Sequence, residues 1–250
     1  MSALEVIAVV AAGFGAGTIN AVIGSGTLLT FPVLLALGYS PVVANVSNNI
    51  GLVPGAVSSA WGYREELRGS RPRLRRFAPA TASGAVIGAV ALLVLPAEAF
   101  KAIVPVLIAI SLVLIVLQPR ITRWITARRT IERPHGGRWL IGGIFGTGIY
   151  GGYFGAGQGI LLFSLLASSL GGDLREVNAV RAVLAGLANL VAAIVFLFIA
   201  DIAWLPAVLI AVGSTAGGLI GARVGRRLPD PWLRAVIVVV GLAAIAQIVL

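Results

Sequence analysis

Apolar residues run along this chain in ten blocks, at 4–23, 26–37, 42–61, 77–95, 102–117, 139–154, 157–170, 176–200, 204–222 and 232–250, with polar or arginine-rich stretches between them. A hydrocarbon core of about 30 Å takes about 20 residues of helix at about 1.5 Å each. The pattern predicts an all-α integral membrane protein with about eight full transmembrane helices, and two short or broken helices at 26–37 and 157–170. The first block has no positively charged lead, so it is expected to be a retained helix and not a cleaved signal.

The pattern also repeats. FGAGTINAVIGSGTLLTFPVLLALGYSPVVANVSNNIG, from Phe14, has a counterpart 131 to 133 residues later in FGTGIYGGYFGAGQGILLFSLLASSLGGDLREVNAVRAVLAG, from Phe145. Both copies break at glycines before the short block. Duplicated membrane units with glycine-interrupted segments in matching positions are the sequence signature of secondary transporters. Residues 1–118 are expected to form the first repeat, 119–138 a basic cytoplasmic linker, and 139–250 the second repeat.

Charge sets the expected topology. Charged residues are 11% of the chain against 58% hydrophobic, at a mean hydropathy of +1.00 and a net charge of +10. Sixteen of the 19 basic residues fall in three clusters, Arg64 to Arg76, Arg120 to Arg138 and Arg223 to Arg234. Each cluster is short and lies between apolar spans, which is the pattern of topology-setting loops and not of a nucleic-acid surface. If all three are cytoplasmic, the number of crossings between any two is even, and parity requires 157–170 to count as a crossing. The same parity places both termini outside and inverts the second repeat relative to the first. Re-entrant hairpins at the short segments would give other counts. The expected location is the cell inner membrane, with lipid around the spans and a homo-oligomer left open.

Broken helices leave backbone N–H and C=O groups free, which is tolerated at membrane depth only where protein or a water-filled cavity meets them. The breaks, Gly24-Ser25-Gly26-Thr27 and Gly155-Ala156-Gly157-Gln158-Gly159, are therefore the first candidate site. Freed N–H groups at the start of a half-helix suit an anion. The competing reading is close helix packing, because Gly13/Gly17, Gly148/Gly152, Gly151/Gly155 and Gly155/Gly159 all have the four-residue spacing of packed membrane helices.

A second polar cluster follows each short block: Asn45, Ser47, Asn48 and Asn49 in the first repeat, Asn178 and Arg181 in the second. At an offset of 133, Asn45 falls on Asn178 and Asn48 on Arg181. A cation near a membrane interior marks a functional site by default, although Arg181 lies only about a turn inside its helix and snorkelling beside Arg175 is the alternative. Asn20, Asn189 and Tyr150 are further polar groups within spans, read either as interhelical hydrogen bonds or as lining of a pathway.

What is missing also narrows the chemistry. No Asp or Glu falls mid-span, His135 lies in a basic loop, and there is no cysteine, so a carboxylate proton relay, a metal site, a hydrolytic centre and thiol chemistry are not expected. No cofactor is expected, and the expected partner is a small anionic substrate.

GTINAVIGSGTLLTFPVLLALGYSPVVAN followed by NNIGLVPGAVSSAWGYREEL resembles the first half of the sulfite exporter TauE/SafE family, through Gly24, Gly26, Pro32, Gly38, Ala44, Asn45, Pro54, Gly55 and Tyr63-Arg64. The second half is similar through Gly155 and Gly157, the stretch from Asn178 to Arg181, Asn189, and the end near Asp201 and Trp204. The resemblance implies an inner-membrane permease of duplicated build, with seven or eight helices, that moves sulfite or organosulfur anions such as sulfoacetate. Members often carry Lys where this chain has Arg181, whose guanidinium would grip an oxyanion by forked hydrogen bonds. A transporter, an anion channel with the same groups lining a pore, and a structural or accessory membrane protein held together by Gly and Asn are the readings to separate.

Overall fold

The computed structural model describes residues 1–127, 137–171, 173–224 and 230–249. His135, Glu132 and the arginines at 128, 129, 133, 226 and 227 lie outside the described residues. The described chain is entirely helical: α1 (Ala3–Val22), α2 (Thr27–Ala36), α3 (Pro41–Gly62), α4 (Arg71–Val94), α5 (Ala97–Ala127), α6 (Arg138–Tyr153), α7 (Gln158–Ser169), α8 (Leu174–Ile199), α9 (Trp204–Val224) and α10 (Asp230–Val249). These ten elements answer the ten apolar blocks. A capping box starts α1, where Ser2 and Glu5 bond each other's backbone N–H, and Asp173 caps α8.

Five of the helices, α1, α4, α5, α8 and α9, are long and apolar enough to cross a bilayer. Of the other three elements counted as crossings, α3 is long enough at about 33 Å but is made less apolar by its Asn-Val-Ser-Asn-Asn run, while α6 reaches only about 24 Å and α10 about 30 Å. α2 and α7, at 10 and 12 residues, are as short as the sequence predicts. The outer surface is itself apolar: Phe198 is 85% exposed, Val94 76% and Val239 68%. Such a surface suits hydrocarbon, since each helix satisfies its own backbone hydrogen bonds.

The helices pack in pairs that exchange partners between the two halves. α1 packs on α9 and α6 on α4; α2 meets α10 and α7 meets α5; α3 lies against α8 and α5 against α10. The exchange holds at single residues. A Cβ at Gly217 would meet Phe14 and one at Gly84 would meet Phe145; Gly221 faces Thr18 as Gly88 faces Ile149; Gly17 faces Ser214 as Gly148 faces Thr81. Gly13, Gly17, Gly148 and Gly152 are therefore packing residues, as the alternative reading has it, and their missing side chains let backbones touch.

Among the described residues, arginines of all three basic clusters gather at one end of the bundle. Gln118 and Arg123 of α5, Arg175 of α8, Arg234 of α10 and Glu66 beyond α3 line one cavity there. Beside it, Arg73 of α4 pairs with Glu176 of α8 at 2.8 Å, and Ser70 donates to the same carboxylate at 2.7 Å. The opposite end holds the start of α5 and of α3, since Phe100 and Asn45 lie about 27 Å along their helices from Gln118 and Tyr63.

Candidate functional site

Both breaks are built alike. The N–H of Gly24 closes α1 onto the carbonyl of Ile19, and that of Gly155 closes α6 onto Tyr150, its equivalent 131 residues on. Gly24 and Gly155 then turn with φ of +87° and +78°, a left-handed conformation open to glycine at little cost. Gly157 follows with φ +77°, whereas its counterpart Gly26 is right-handed at −61°, so the two breaks differ in the last residue before the short helix.

The two breaks cross and touch. Gly159 donates its N–H to the carbonyl of Gly24 at 3.1 Å, and a Cβ on Gly159 would lie 2.5 Å from the Gly24 Cα. Above this crossing lies Arg181, 1% exposed. Its guanidinium donates to the carbonyl oxygens of Asn20 at 3.1 Å and of Ala21 at 2.7 Å. Snorkelling is thereby corrected: only Arg175 turns outward, because the last carbonyls of α1, which carries no basic residue in its last turn, draw Arg181 in. Its Nε has no hydrogen-bond partner.

A small cavity of about 30 Å³ lies at the crossing, with Asn20, Gly24, Thr27, Gly155, Gln158 and Asn189 among its lining. That is room for one or two waters and not for an oxyanion in this conformation. Gln158 reaches it while donating to the carbonyl of Thr147 at 3.0 Å, and the side-chain oxygen of Asn20 accepts from the N–H of Gly26 at 2.7 Å. Gly159 of the second break lines the same space, and so does Ser59, which nothing in the sequence distinguishes from any serine late in an apolar helix.

The remaining candidates sit elsewhere. Asn48 bonds Thr27 and Thr30 of α2, so it ties the short helix to α3. Ser47 accepts from the N–H of Ala203 at 2.9 Å and so caps the approach to α9. Asn45 donates to the carbonyl of Tyr153 at 3.0 Å, toward the end away from the arginines. The side-chain oxygens of Ser25, Asn45 and Asn49 have no partner. Tyr150 shares the carbonyl of Ala156 with Ser111, a residue the repeat did not flag.

Asn178 lies in the cavity at the arginine-rich end, about 390 Å³ and open outward. Its amide donates to the Tyr63 hydroxyl at 3.2 Å, and that hydroxyl donates to Ala21, the same carbonyl that holds Arg181. Tyr63 and Asn178 thus floor this vestibule, one carbonyl away from the crossing. At the other end the crossing is covered by aromatic rings: Phe31 meets Phe154 edge-on at 5.4 Å, and Phe100 meets Tyr153 at 5.5 Å and Phe154 at 6.1 Å.

A sequence-family model described as sulfite exporter TauE/SafE matches residues 9–248. Among curated proteins, the chain is 24% identical over 233 residues to the probable membrane transporter protein YfcA of Escherichia coli (strain K12), covering 93% of this chain and 85% of that one. It is 25% identical over 241 residues to the probable membrane transporter protein ORF9 of a Sinorhizobium species, covering 93% and 87%. A probable membrane transporter protein of Haemophilus influenzae is 24% identical over 240 residues, covering 95% and 91%. No solved structure matches. With a family match spanning nearly all of its helices, this chain belongs to the sulfite exporter TauE/SafE family and is a multi-pass membrane transporter.

Proposed function

We propose that the chain is a secondary transporter of small anions, sulfite or organosulfur oxyanions, which it carries by alternating access between two inverted repeats in the cell inner membrane. The observation that carries this reading is the crossing of the two breaks, where a buried guanidinium and neutral amides converge and, among the described residues, no carboxylate lines the cavity; the N–H groups of Gly24, Gly26, Gly155 and Gly159, expected to be free, are bonded within the protein. A site of that make-up discriminates for negative charge, and the forked donors of Arg181 match an oxyanion.

Several features support alternation. Packing partners exchanged residue by residue between the halves are what a two-fold relation produces, and an axis in the membrane plane lets the two halves swap conformations. The vestibule opens at one end, the aromatic rings close the other, and the centre is shut, as in a carrier at rest. Parity makes α7 count as a crossing, the repeat carries the same reading to its counterpart α2, and the positive-inside rule puts the vestibule on the cytoplasmic side with both termini outside. The transported ion displaces waters from the small cavity as the halves part, and it exchanges hydration for Arg181, Asn20, Gln158 and Asn189.

The absence of cysteine makes accessibility a direct test, because a single introduced thiol is the only one in the protein. A membrane-impermeant maleimide is expected to label Gln118→Cys only from the vestibule side. Ser59→Cys, in the shut centre, is expected to resist labelling at rest and to become reactive with sulfite or a small sulfonate present. Free labelling of Ser59→Cys from both sides at once would fit an open pore and end the carrier reading.

A further inference from the structure

The vestibule differs in kind from the crossing beneath it. It is more than ten times larger, about 390 Å³ against about 30 Å³. Among the described residues, three arginines, Arg123, Arg175 and Arg234, face it together with one carboxylate, Glu66. The rest of its wall is largely apolar, with Ile23, Phe163 and Leu174. A bare oxyanion would meet the positive charge of this wall and leave its apolar part wet. An anion with a hydrocarbon body satisfies both, since apolar burial contributes roughly 25 cal/mol per Å².

The arginines also come from both halves of the chain. Arg123 is near the end of α5, where that helix runs out of the first repeat into the linker, and Arg175 and Arg234 are on α8 and α10 of the second repeat. A ligand with two separated negative groups would bridge them. The floor of Tyr63 and Asn178 stops such a ligand from going deeper in this conformation.

We propose that the vestibule is a second binding site, for an organic dianion with an apolar body, and that its occupant holds the two halves together and arrests transport. The ligand binds this conformation better than one in which the halves have moved, so it shifts the population toward the arrested state. Binding itself does not depend on the transport reading; only the arrest of flux rests on it.

The probe is naphthalene-1,5-disulfonate, with inorganic sulfate as the comparison. Calorimetry on the purified full chain is expected to show the disulfonate binding at least tenfold more tightly than sulfate. Arg123→Gln with Arg234→Gln is expected to weaken it at least tenfold, and Phe163→Ala to shrink its advantage over sulfate several-fold. In proteoliposomes the disulfonate blocks uptake from the vestibule side only. Disulfonate binding no tighter than sulfate, or undiminished by the arginine pair of substitutions, would overturn the site; binding as expected without a one-sided block would overturn the arrest. If no small anion is carried at all, the binding result still stands or falls alone, so the two readings fail separately.

Discussion

Arg181→Ala is expected to abolish anion uptake, by at least tenfold, and to lower the melting temperature even without any ligand. The guanidinium is fully inside the protein and holds the carbonyls of Asn20 and Ala21, the last of α1 before its break. Truncation leaves two buried acceptors without these donors and removes the positive charge that faces the negative end of α1. Leaving a buried acceptor unsatisfied typically costs about 1–3 kcal/mol. Arg181→Lys keeps the charge but not the planar fork, so the carbonyls of Asn20 and Ala21 are held less well; intermediate stability with most uptake lost is the expected result, checked by thermal unfolding beside a flux assay. Full stability in Arg181→Ala would mean that the carbonyls find water, and would remove the structural half of this role.

Gly24→Ala is the other change with a large expected effect. A methyl there meets two obstacles: a φ of +87°, which costs about 1–2 kcal/mol for any other residue, and an Arg181 nitrogen 2.2 Å away with the Gly159 Cα at 2.6 Å. Overpacking adds about 1–3 kcal/mol. Two other glycines separate these terms. Gly38 has φ +86° with nothing within 4 Å, so Gly38→Ala should show the backbone cost alone. Gly142 lies inside α6 with nothing within 4 Å, and Gly142→Ala should stabilise by about 0.5–1 kcal/mol. Melting temperatures in the order Gly142→Ala, Gly38→Ala, Gly24→Ala, highest first, are the expected result. Equal values for Gly38→Ala and Gly24→Ala would show that the breaks do not touch as described.

The helices themselves were legible because lipid and packing both demand apolar runs, and every block in the sequence became a helix. The breaks were legible because glycine at matched positions is costly inside a helix and therefore marks a deliberate interruption. The grouping of the polar residues was not. Asn45, Ser47, Asn48 and Asn49 are neighbours in sequence, yet they point to Tyr153, Ala203 and the α2 threonines, because successive residues on a helix face different directions. Only α2 placed against α3 decides which of them faces the centre. Arg181 was ambiguous between headgroups and interior for a related reason: its partner is the end of α1, 160 residues away in the chain. One signal was readable and passed over. Thr81, Gly84, Ala85 and Gly88 repeat as Ser214, Gly217, Gly218 and Gly221, a small-residue ladder at the same 133 offset, and it marks the α4 and α9 faces against which α6 and α1 pack.

Counterflow in proteoliposomes bears most directly on the central claim that a small anion is carried through the crossing of the two breaks. Vesicles holding the protein and loaded with unlabelled sulfite, or with a small sulfonate in a parallel series, are placed in a trace of the same anion carrying radioactive sulfur. The account predicts saturable uptake of the label that is stimulated by the anion inside and absent with Arg181→Ala. Uptake that rises linearly without stimulation, or that is unchanged by Arg181→Ala, would contradict it.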